Sequence, residues 1–141
     1  MSNYHETTLR VRYQETDQMG VVYHSNYLIW FEVGRNGFIR QQGYSYQDFE
    51  NKGLLLPVVE AQCKYRSPAK YDEEVLVRTK LSELSGSKMY FEYEVVRNND
   101  QTLLATGLTK HLWVSKEMKR TNMKKYFPEL YERLASFVTL K

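Results

Sequence analysis

Apolar residues recur along the chain with two different periods, and the change of period marks the predicted elements. Leu9, Val11 and Tyr13 alternate with polar neighbours, which predicts a short opening strand. From Ser25 onwards apolar residues follow one another too densely for a half-exposed helix, until Gly43 offers a stop. We therefore predict a long central helix that is buried on most sides.

Caps refine the boundaries of this helical region. Ser25 or Asn26 can cap the first turn of the central helix. Ser45 and Asp48 have the spacing of a capping box, which predicts a short second helix that ends near Gly53.

Two glycines, Gly34 and Gly37, lie one turn apart inside the central helix. Glycine lowers helix propensity, but the missing side chain lets another backbone come close. We expect the helix to cross closely over a sheet at this point.

A period of two returns after Pro57 and continues through most of the chain. The predicted strands are 59–66, 74–81, 89–95 and 103–114. The segment RNNDQ before the last strand has hairpin-type turn chemistry. Pro128 suits the first turn of a C-terminal helix, which we place at about 122–138.

The order of these elements is a strand, a long apolar helix and four consecutive strands, which is typical of the α+β class. Hairpin connections predict a mostly antiparallel sheet, and the simplest packing wraps it around the central helix. With 141 residues the chain is expected to form a single domain over 1–141. The edge strands of such a sheet favour self-association.

Composition excludes several classes of function. A formal net charge of +3 gives little support for a nucleic-acid partner. Cys63 is the single cysteine and cannot form an internal disulfide, so we expect a buried thiol and a cytoplasmic location. No Cys/His cluster suggests a metal, and no apolar run is long enough for membrane insertion.

Asp17 and His24 enclose a glycine-containing loop directly before the central helix. Each has an ordinary explanation, because aspartate forms turns through its own backbone and polar residues satisfy the free amides of a helix start. Those amides, however, can also hold an oxygen that becomes negative. A carboxylate opposite them could attack an acyl carbon or activate a water, so the pair is a candidate acyl-transfer site.

The segment YQETDQMGVVYHSNYLIWFE, Tyr13 to Glu32, resembles the signature of the hotdog-fold acyl-CoA thioesterases of the 4-hydroxybenzoyl-CoA thioesterase group, in particular its Tol-Pal-associated branch. The family pattern reads Y-x-x-T/D-D-x-x-G-V-V-Y-H-x-x-Y. The matching positions are Tyr13, Asp17, Gly20, Val21, Val22, Tyr23, His24 and Tyr27. The later YRSPAKYDEEVLVRT, Tyr65 to Thr79, is similar to a second segment of the family.

The resemblance implies a hotdog fold, in which a five-stranded antiparallel sheet surrounds the long central helix. It also implies homodimers, often assembled into homotetramers, with active sites at the dimer interface. The family's catalytic carboxylate maps onto Asp17, as nucleophile or general base. The amide that polarises the thioester carbonyl maps onto the backbone of His24, and the side chains of His24 and Tyr13 match the polar partners.

We therefore expect hydrolysis of a small or medium acyl-CoA to the free acid and coenzyme A, with no metal and no separate cofactor. Tyr23 is a candidate substrate contact. Arg66 and Lys70 are the first candidates to bind the coenzyme A phosphates, because their turn resembles the family segment and cations suit phosphate. Further cations near strand ends are Lys88, Lys110, Lys119 and Arg120.

Other residues have a less specific role. Residues that either line an acyl pocket or belong to the core are Tyr46, Phe49, Leu54, Leu55 and Leu56. Glu32 and Arg35, at i and i+3 on the helix, have the spacing of an ion pair.

Two other functions stay open at this point. A hydratase or dehydratase could use the same fold on acyl thioesters, although with different His and acid positions. A non-catalytic acyl-CoA binding or scaffold protein is the second alternative, because fold does not determine function. Release of free thiol from acyl-CoA distinguishes hydrolysis from both.

Overall fold

The computed structural model describes residues 4–139 of the chain. In chain order the elements are β1 (His5–Arg10), α1 (Asn26–Gln41), α2 (Tyr46–Asn51), β2 (Val58–Tyr65), β3 (Glu74–Leu84), β4 (Lys88–Arg97), β5 (Leu103–Leu112) and α3 (Pro128–Thr139). Single 3-10 turns lie at Tyr13–Glu15 and Met123–Lys125. No described helix is both long and apolar enough to cross a membrane.

The sheet has five strands in the order β1-β3-β4-β5-β2, and every neighbouring pair is antiparallel. The predicted α+β class and antiparallel sheet are thus confirmed. Strand β1, although first in the chain, pairs with β3, so β1 and β2 form the two edges.

Helix α1 packs against the sheet through glycine. A Cβ atom on Gly34 would collide with the Thr79 side chain and come within 2.9 Å of Val77, both on β3. A Cβ atom on Gly37 would lie 2.7 Å from the Thr7 hydroxyl on β1. The predicted close crossing of helix and sheet is therefore confirmed.

The expectation that α1 is buried on most sides is wrong. Its buried residues, which include Trp30 and Phe38, recur at helical spacing on a single face. On the opposite side Leu28, Ile29 and Val33 are exposed, Ile29 by 51%. The sequence is dense in apolar residues because α1 carries an apolar face towards the core and a second apolar stripe that points away from it.

Several element boundaries differ from the prediction, among them the end of the first strand and the start of the last helix. The opening strand ends at Arg10, and Tyr13 begins a 3-10 turn instead of continuing the strand. Helix α3 begins at Pro128 and not near residue 122, because Asn122 caps a separate 3-10 turn by accepting from the Lys124 amide. Pro128 is thus the first residue of the helix, where its missing N–H costs no hydrogen bond.

The two predicted caps behave differently. Ser45 and Asp48 form the expected capping box, in which each side chain accepts a hydrogen bond from the other residue's amide. Ser25 occupies the N-cap position of α1, but its side chain makes no capping hydrogen bond. The Asn26 side chain does not cap either, because its amide donates to the carbonyl oxygen of Glu15.

Edge strand β2 is accessible along nearly all of its length. Val58, Val59 and Tyr65 are about half exposed, so its alternating pattern does not correspond to one buried face. Cys63 is free and half-buried, and burial raises the pKa of its thiol. This edge carries the apolar surface that would be expected on the inside of a sheet.

Candidate active site

The loop before α1 is organised by Asp17. Its Oδ1 accepts a hydrogen bond from the Met19 amide at 2.8 Å, and its carbonyl oxygen accepts from the Gly20 amide at 3.0 Å. Gly20 adopts a positive φ of 79°, which glycine reaches at little cost. Asp17 therefore forms a turn through its own backbone, and among the described residues its Oδ2 atom makes no hydrogen bond.

Asp17 and His24 line one open pocket of about 290 Å³. Its other lining residues are Met19, Val21, Val22, Tyr27, Tyr65, Arg66, Ser67 and Pro68. The structure thus brings together three of the predicted site residues, Asp17, His24 and Arg66. No hydrogen bond joins Asp17 to His24 in the part of the chain that the structure describes.

The helix start offers free donors beside this pocket. The Asn26 amide donates to the carbonyl oxygen of Tyr23 and the Tyr27 amide to that of His24. The amides of His24 and Ser25 make no hydrogen bond to any described residue. Such unpaired N–H groups carry partial positive charge and can stabilise an oxygen that becomes negative.

Glu15 anchors the loop to the helix. Its buried carboxylate accepts hydrogen bonds from the Trp30 indole at 2.9 Å and from the Arg12 amide at 2.8 Å. Its carbonyl oxygen accepts from the Tyr23 amide at 2.8 Å and from the Asn26 side chain at 3.0 Å. The sequence analysis missed Glu15, although an indole N–H on an apolar helix face signals the need for a buried acceptor.

Tyr65, also missed, connects the end of β2 to the helix start. Its hydroxyl donates to the carbonyl oxygen of His24 at 3.0 Å, and its ring packs edge-on against Tyr27 at 5.1 Å. Burial, with a smaller contribution from Cys63, raises the pKa of Tyr65 to about 12. The hydroxyl therefore stays protonated and remains a donor near neutral pH.

Three predicted site residues lie outside the pocket lining. Tyr13 is 73% exposed and packs edge-on against Tyr71 at 5.8 Å. The Tyr23 ring lies over the imidazole of His24 at 4.4 Å. Lys70 forms a β-bridge with Val21, and its amide donates to Glu73. Their proposed roles stay predictions.

A second pocket, of about 310 Å³, lies between the middle of α1, α2 and the chain before β2. We call it the Arg35 pocket, and it is lined by Glu32, Arg35, Asn36, Tyr46, Phe49, Glu50, Leu54, Leu55 and Leu56. All five residues suggested from the sequence for an acyl pocket are among them. The suggested ion pair of Glu32 with Arg35 is not formed, because the Arg35 guanidinium donates to the Tyr93 hydroxyl at 3.2 Å.

The two pockets of one chain use different parts of α1 and of the chain around β2. Leu56 of the Arg35 pocket and Tyr65 of the Asp17 pocket stand at opposite ends of β2. At about 3.3 Å per residue these two residues are about 30 Å apart, whereas Tyr27 and Glu32, which line the two pockets on α1, are about 8 Å apart along the helix axis.

Comparison with known proteins gives a consistent family. The sequence profile of the thioesterase-like superfamily matches residues 11–134. The putative acyl-CoA thioesterase YneP of Bacillus subtilis is 41% identical over 122 residues, which cover 86% of this chain and 88% of that protein. The acyl-CoA thioesterase YbgC of Haemophilus influenzae is 36% identical over 91 residues, covering 64% and 67%.

Solved structures agree with these sequence relatives. A DHNA-CoA thioesterase from Staphylococcus aureus superposes with a TM-score of 0.90 at 33% identity, covering 97% of this chain and 94% of that one. Slr0204, a 1,4-dihydroxy-2-naphthoyl-CoA thioesterase from Synechocystis, superposes with a TM-score of 0.84 at 22% identity, covering 94% and 98%. The second likeness concerns the fold alone.

Proposed function

The chain belongs to the thioesterase-like superfamily and is a thioester hydrolase, and on that premise we propose that it cleaves acyl-CoA with the carboxylate of Asp17. The observation that carries the proposal is that Asp17 and the start of α1 meet in one pocket. The free amides of His24 and Ser25 supply donors at this point, and Asp17 Oδ2 supplies a carboxylate oxygen without a hydrogen bond.

In the proposed reaction the thioester carbonyl oxygen accepts hydrogen bonds from the helix-start amides. Asp17 either attacks the acyl carbon or takes a proton from a water that attacks it. A C–O bond forms, the C–S bond breaks, and coenzyme A leaves with its electron pair and is protonated. If Asp17 itself attacks, a water molecule then cleaves the resulting anhydride, which releases the free acid and restores the carboxylate. A comparable oxyanion donor contributes about 3 kcal/mol to transition-state stabilisation in other enzymes.

Two residues are proposed to hold these amides in place. Asn26 donates from its backbone to the carbonyl oxygen of Tyr23, which fixes the peptide that contains the His24 amide. Tyr65 donates to the carbonyl oxygen of His24, which fixes the peptide that contains the Ser25 amide. Both peptide planes are thus set before substrate arrives, and preorganised donors are the effective ones.

The proposed partner is a second copy of the chain at the β2 edge. β1, the other edge, is mostly polar, whereas β2 exposes Val58 and Val59. The exposed stripe of Ile29 and Val33 on α1 adds apolar surface that a partner can cover. Pairing of two β2 strands would join the sheets and remove an unprotected apolar edge.

This pairing has a consequence for the site. A two-fold axis makes the two β2 strands antiparallel, so the Val58 end of one strand lies beside the Tyr65 end of the other. The Arg35 pocket of one subunit would therefore stand next to the Asp17 pocket of its partner. We propose that the acyl group enters the former while coenzyme A stays in the latter, with Arg66 near its phosphates.

Further assembly to a homotetramer, a cytoplasmic location and membership of the Tol-Pal-associated branch stay predictions. The small or medium size of the acyl group is a further prediction. We also propose that no cofactor is needed, because a thioester lacks the resonance stabilisation of an amide.

The proposed function is tested by the release of free thiol from a series of acyl-CoA esters, with enoyl-CoA included. Disappearance of enoyl-CoA without thiol release would identify a hydratase, and tight binding without turnover a binding protein.

A further inference from the structure

Arg35 is a buried cation without a partner of opposite charge. Only 8% of the residue is exposed, yet no carboxylate of the described residues lies within ion-pairing distance of its guanidinium. Glu32 and Glu50 line the same pocket, but both are exposed and neither pairs with it. Removing an ion from water costs several kcal/mol unless an opposite charge compensates.

A chain of hydrogen bonds holds Arg35 in position. Its guanidinium donates to Tyr93, the Tyr93 and Thr109 hydroxyls are 2.6 Å apart, and Thr109 lies 2.8 Å from Nε2 of His111. Nδ1 of His111 faces the carbonyl oxygen of Leu56 at 3.4 Å. Because a guanidinium only donates and a carbonyl only accepts, Tyr93 accepts from Arg35 and Nδ1 of His111 donates to Leu56.

This series of hydrogen bonds leaves the positive charge of Arg35 uncompensated. Nδ1 of His111 carries a proton, so the charge of the ring depends on whether Nε2 is protonated as well. Burial, together with the nearby charge of Arg35, lowers the pKa of His111 to about 4. Burial also raises the pKa of Tyr93 to about 12, so its hydroxyl stays neutral near neutral pH. Neither Tyr93 nor Thr109 nor His111 therefore supplies a negative charge to Arg35.

Two further buried polar groups in the Arg35 pocket make no well-formed hydrogen bond. The Tyr46 hydroxyl lies beside the Arg35 guanidinium and interacts with its charge, but the two groups are poorly aligned, and the Asn36 side-chain oxygen has no hydrogen-bond partner among the described residues. Buried polar atoms are nearly always paired, so each unpaired one calls for a ligand, a water or an explanation. These two groups, next to the uncompensated charge of Arg35, point to a single polar occupant.

We propose that the Arg35 pocket binds the carboxylate at the far end of a dicarboxylic acyl group, so that the preferred substrates are acyl-CoA esters whose acyl chain ends in a second carboxylate. The inference rests on the proposed function and on the β2 pairing that puts this pocket beside the partner's Asp17. Free N–H groups of Arg35 and the Tyr46 hydroxyl donate to the carboxylate, and the Asn36 amide donates after rotation of its side chain. The apolar walls formed by Leu54 and Leu55 cover the methylene groups.

A carboxylate fits better than a hydroxyl. Both can accept hydrogen bonds from Arg35, but a neutral hydroxyl leaves the buried charge uncompensated. Repulsion from Glu32 and Glu50 opposes an anion weakly, since both lie at the exposed rim, where water screens their charges. The buried guanidinium of Arg35 therefore favours a group with a negative charge.

The test compares matched substrates that differ only at the far end. Glutaryl-CoA is paired with pentanoyl-CoA and adipoyl-CoA with hexanoyl-CoA, and the measured quantity is the ratio of kcat/KM within each pair. The wild-type ratio is expected to favour the dicarboxylic member by at least about 10-fold, the effect of 1.4 kcal/mol. In Arg35→Met, which keeps a similar volume, the ratio should fall to about one.

Tyr46→Phe is the second variant, in case Arg35→Met does not fold. It removes a single hydroxyl and should lower the ratio several-fold. A wild-type ratio near one, a preference for ω-hydroxyacyl-CoA over the dicarboxylic ester, or a ratio unchanged in both variants would overturn the inference.

A binding measurement separates this inference from the proposed chemistry. Free adipate and free hexanoate should both raise the Tm of the wild-type protein and of Asp17→Asn, because each ends in a carboxylate, whereas neutral hexanamide should not, and the effect should vanish in Arg35→Met. If every ester is hydrolysed equally well and adipate does not change the Tm, the inference is wrong, but the proposed thioesterase activity is kept. Adipate binding without any thiol release would contradict the proposed function and leave only a carboxylate-binding pocket at Arg35.

Discussion

The Tyr65 hydroxyl donates to the carbonyl oxygen of His24 at 3.0 Å, so the last residue of β2 holds the peptide that leads into α1. The strand that forms the accessible sheet edge is therefore coupled to the helix-start amides. Whatever moves the end of β2 also moves a proposed donor of the site.

Tyr65→Phe should lower kcat by about 3- to 10-fold, because a hydrogen bond of this type contributes about 0.5–1.5 kcal/mol. KM should change less than kcat, since the bond orients a donor used in the transition state and does not itself bind the substrate. Steady-state kinetics on one good acyl-CoA substrate measure both. Tyr126→Phe, at an exposed tyrosine outside both pockets, is the matched control. A rise in KM with unchanged kcat would make Tyr65 a substrate contact instead.

Asp17→Asn should lower kcat by about 100-fold or more, the range for loss of a general base. The fold should be kept, because an asparagine Oδ1 still accepts from the Met19 amide. Thiol release and the Tm measure the two effects. Asp72→Asn is the control, since Asp72 lies outside the pocket with a φ of 68° that asparagine tolerates. Near-full activity of Asp17→Asn would remove Asp17 from the reaction.

Glu15→Ala should lower the free energy of unfolding by about 1–3 kcal/mol, because it leaves the buried Trp30 indole without an acceptor. Glu6→Ala removes a carboxylate from a surface ion pair with Arg78 and should cost less than about 1 kcal/mol. Urea unfolding of both variants and the wild-type protein gives the comparison. Equal losses in the two variants would show that Glu15 is not the anchor of the loop.

His111 should make the protein less stable as the pH falls from about 6.5 to about 4. Its pKa is lowered to about 4 in the folded protein, mainly by burial, so over this range the unfolded chain binds more protons than the folded one. Stability that is complete above the unfolded pKa is therefore lost on acidification. The loss should reach about 3 kcal/mol, since one pKa unit corresponds to about 1.4 kcal/mol.

His111→Gln should remove this part of the pH dependence. The side chain stays neutral at every pH, and carboxylates that titrate in the same range act equally in both proteins. The free energy of unfolding, measured in urea at several pH values between 7 and 4, gives the difference between the two curves. Parallel curves would mean that His111 does not titrate differently on folding.

Val59→Lys should dissociate the proposed dimer, because it places a charge on the apolar edge of β2. The mass in solution, measured by light scattering, should halve, and activity should fall with it if the two pockets of one site come from different subunits. Thr8→Lys, at an exposed position on the β1 edge, should change neither. Dissociation by Thr8→Lys and not by Val59→Lys would move the interface to the other edge.

The sequence predicted the α+β class, the antiparallel strands and the Ser45 capping box because each depends on local spacing. It did not predict that α1 has a second, exposed apolar stripe, since periodicity does not say what will cover a residue. The alternation in β2 was misleading for the same reason. Apolar residues at the proposed interface between subunits would follow the same pattern as residues of a core.

Residues of the candidate site could be predicted only where the signal is local in the sequence. Asp17 and His24 were found because they lie within one short motif. Tyr65 reaches the site from 41 positions along the chain, and Arg35 finds Tyr93 across 58, so neither contact has a local signal. The i,i+3 spacing favoured Glu32 as the partner of Arg35, but tertiary packing turned the guanidinium towards the sheet.

Gly34, which has no side chain, also influences the position of the helix start at the candidate site. It sets how deeply α1 sits against β3, whereas Asp17 belongs to a loop that is tied to the helix only near its first turns. A methyl group at residue 34 would push the middle of α1 away from β3. The start of the helix would tilt as a result. A substitution more than two helical turns from the first residue of α1, Asn26, would thereby misalign the helix-start amides with the Asp17 carboxylate.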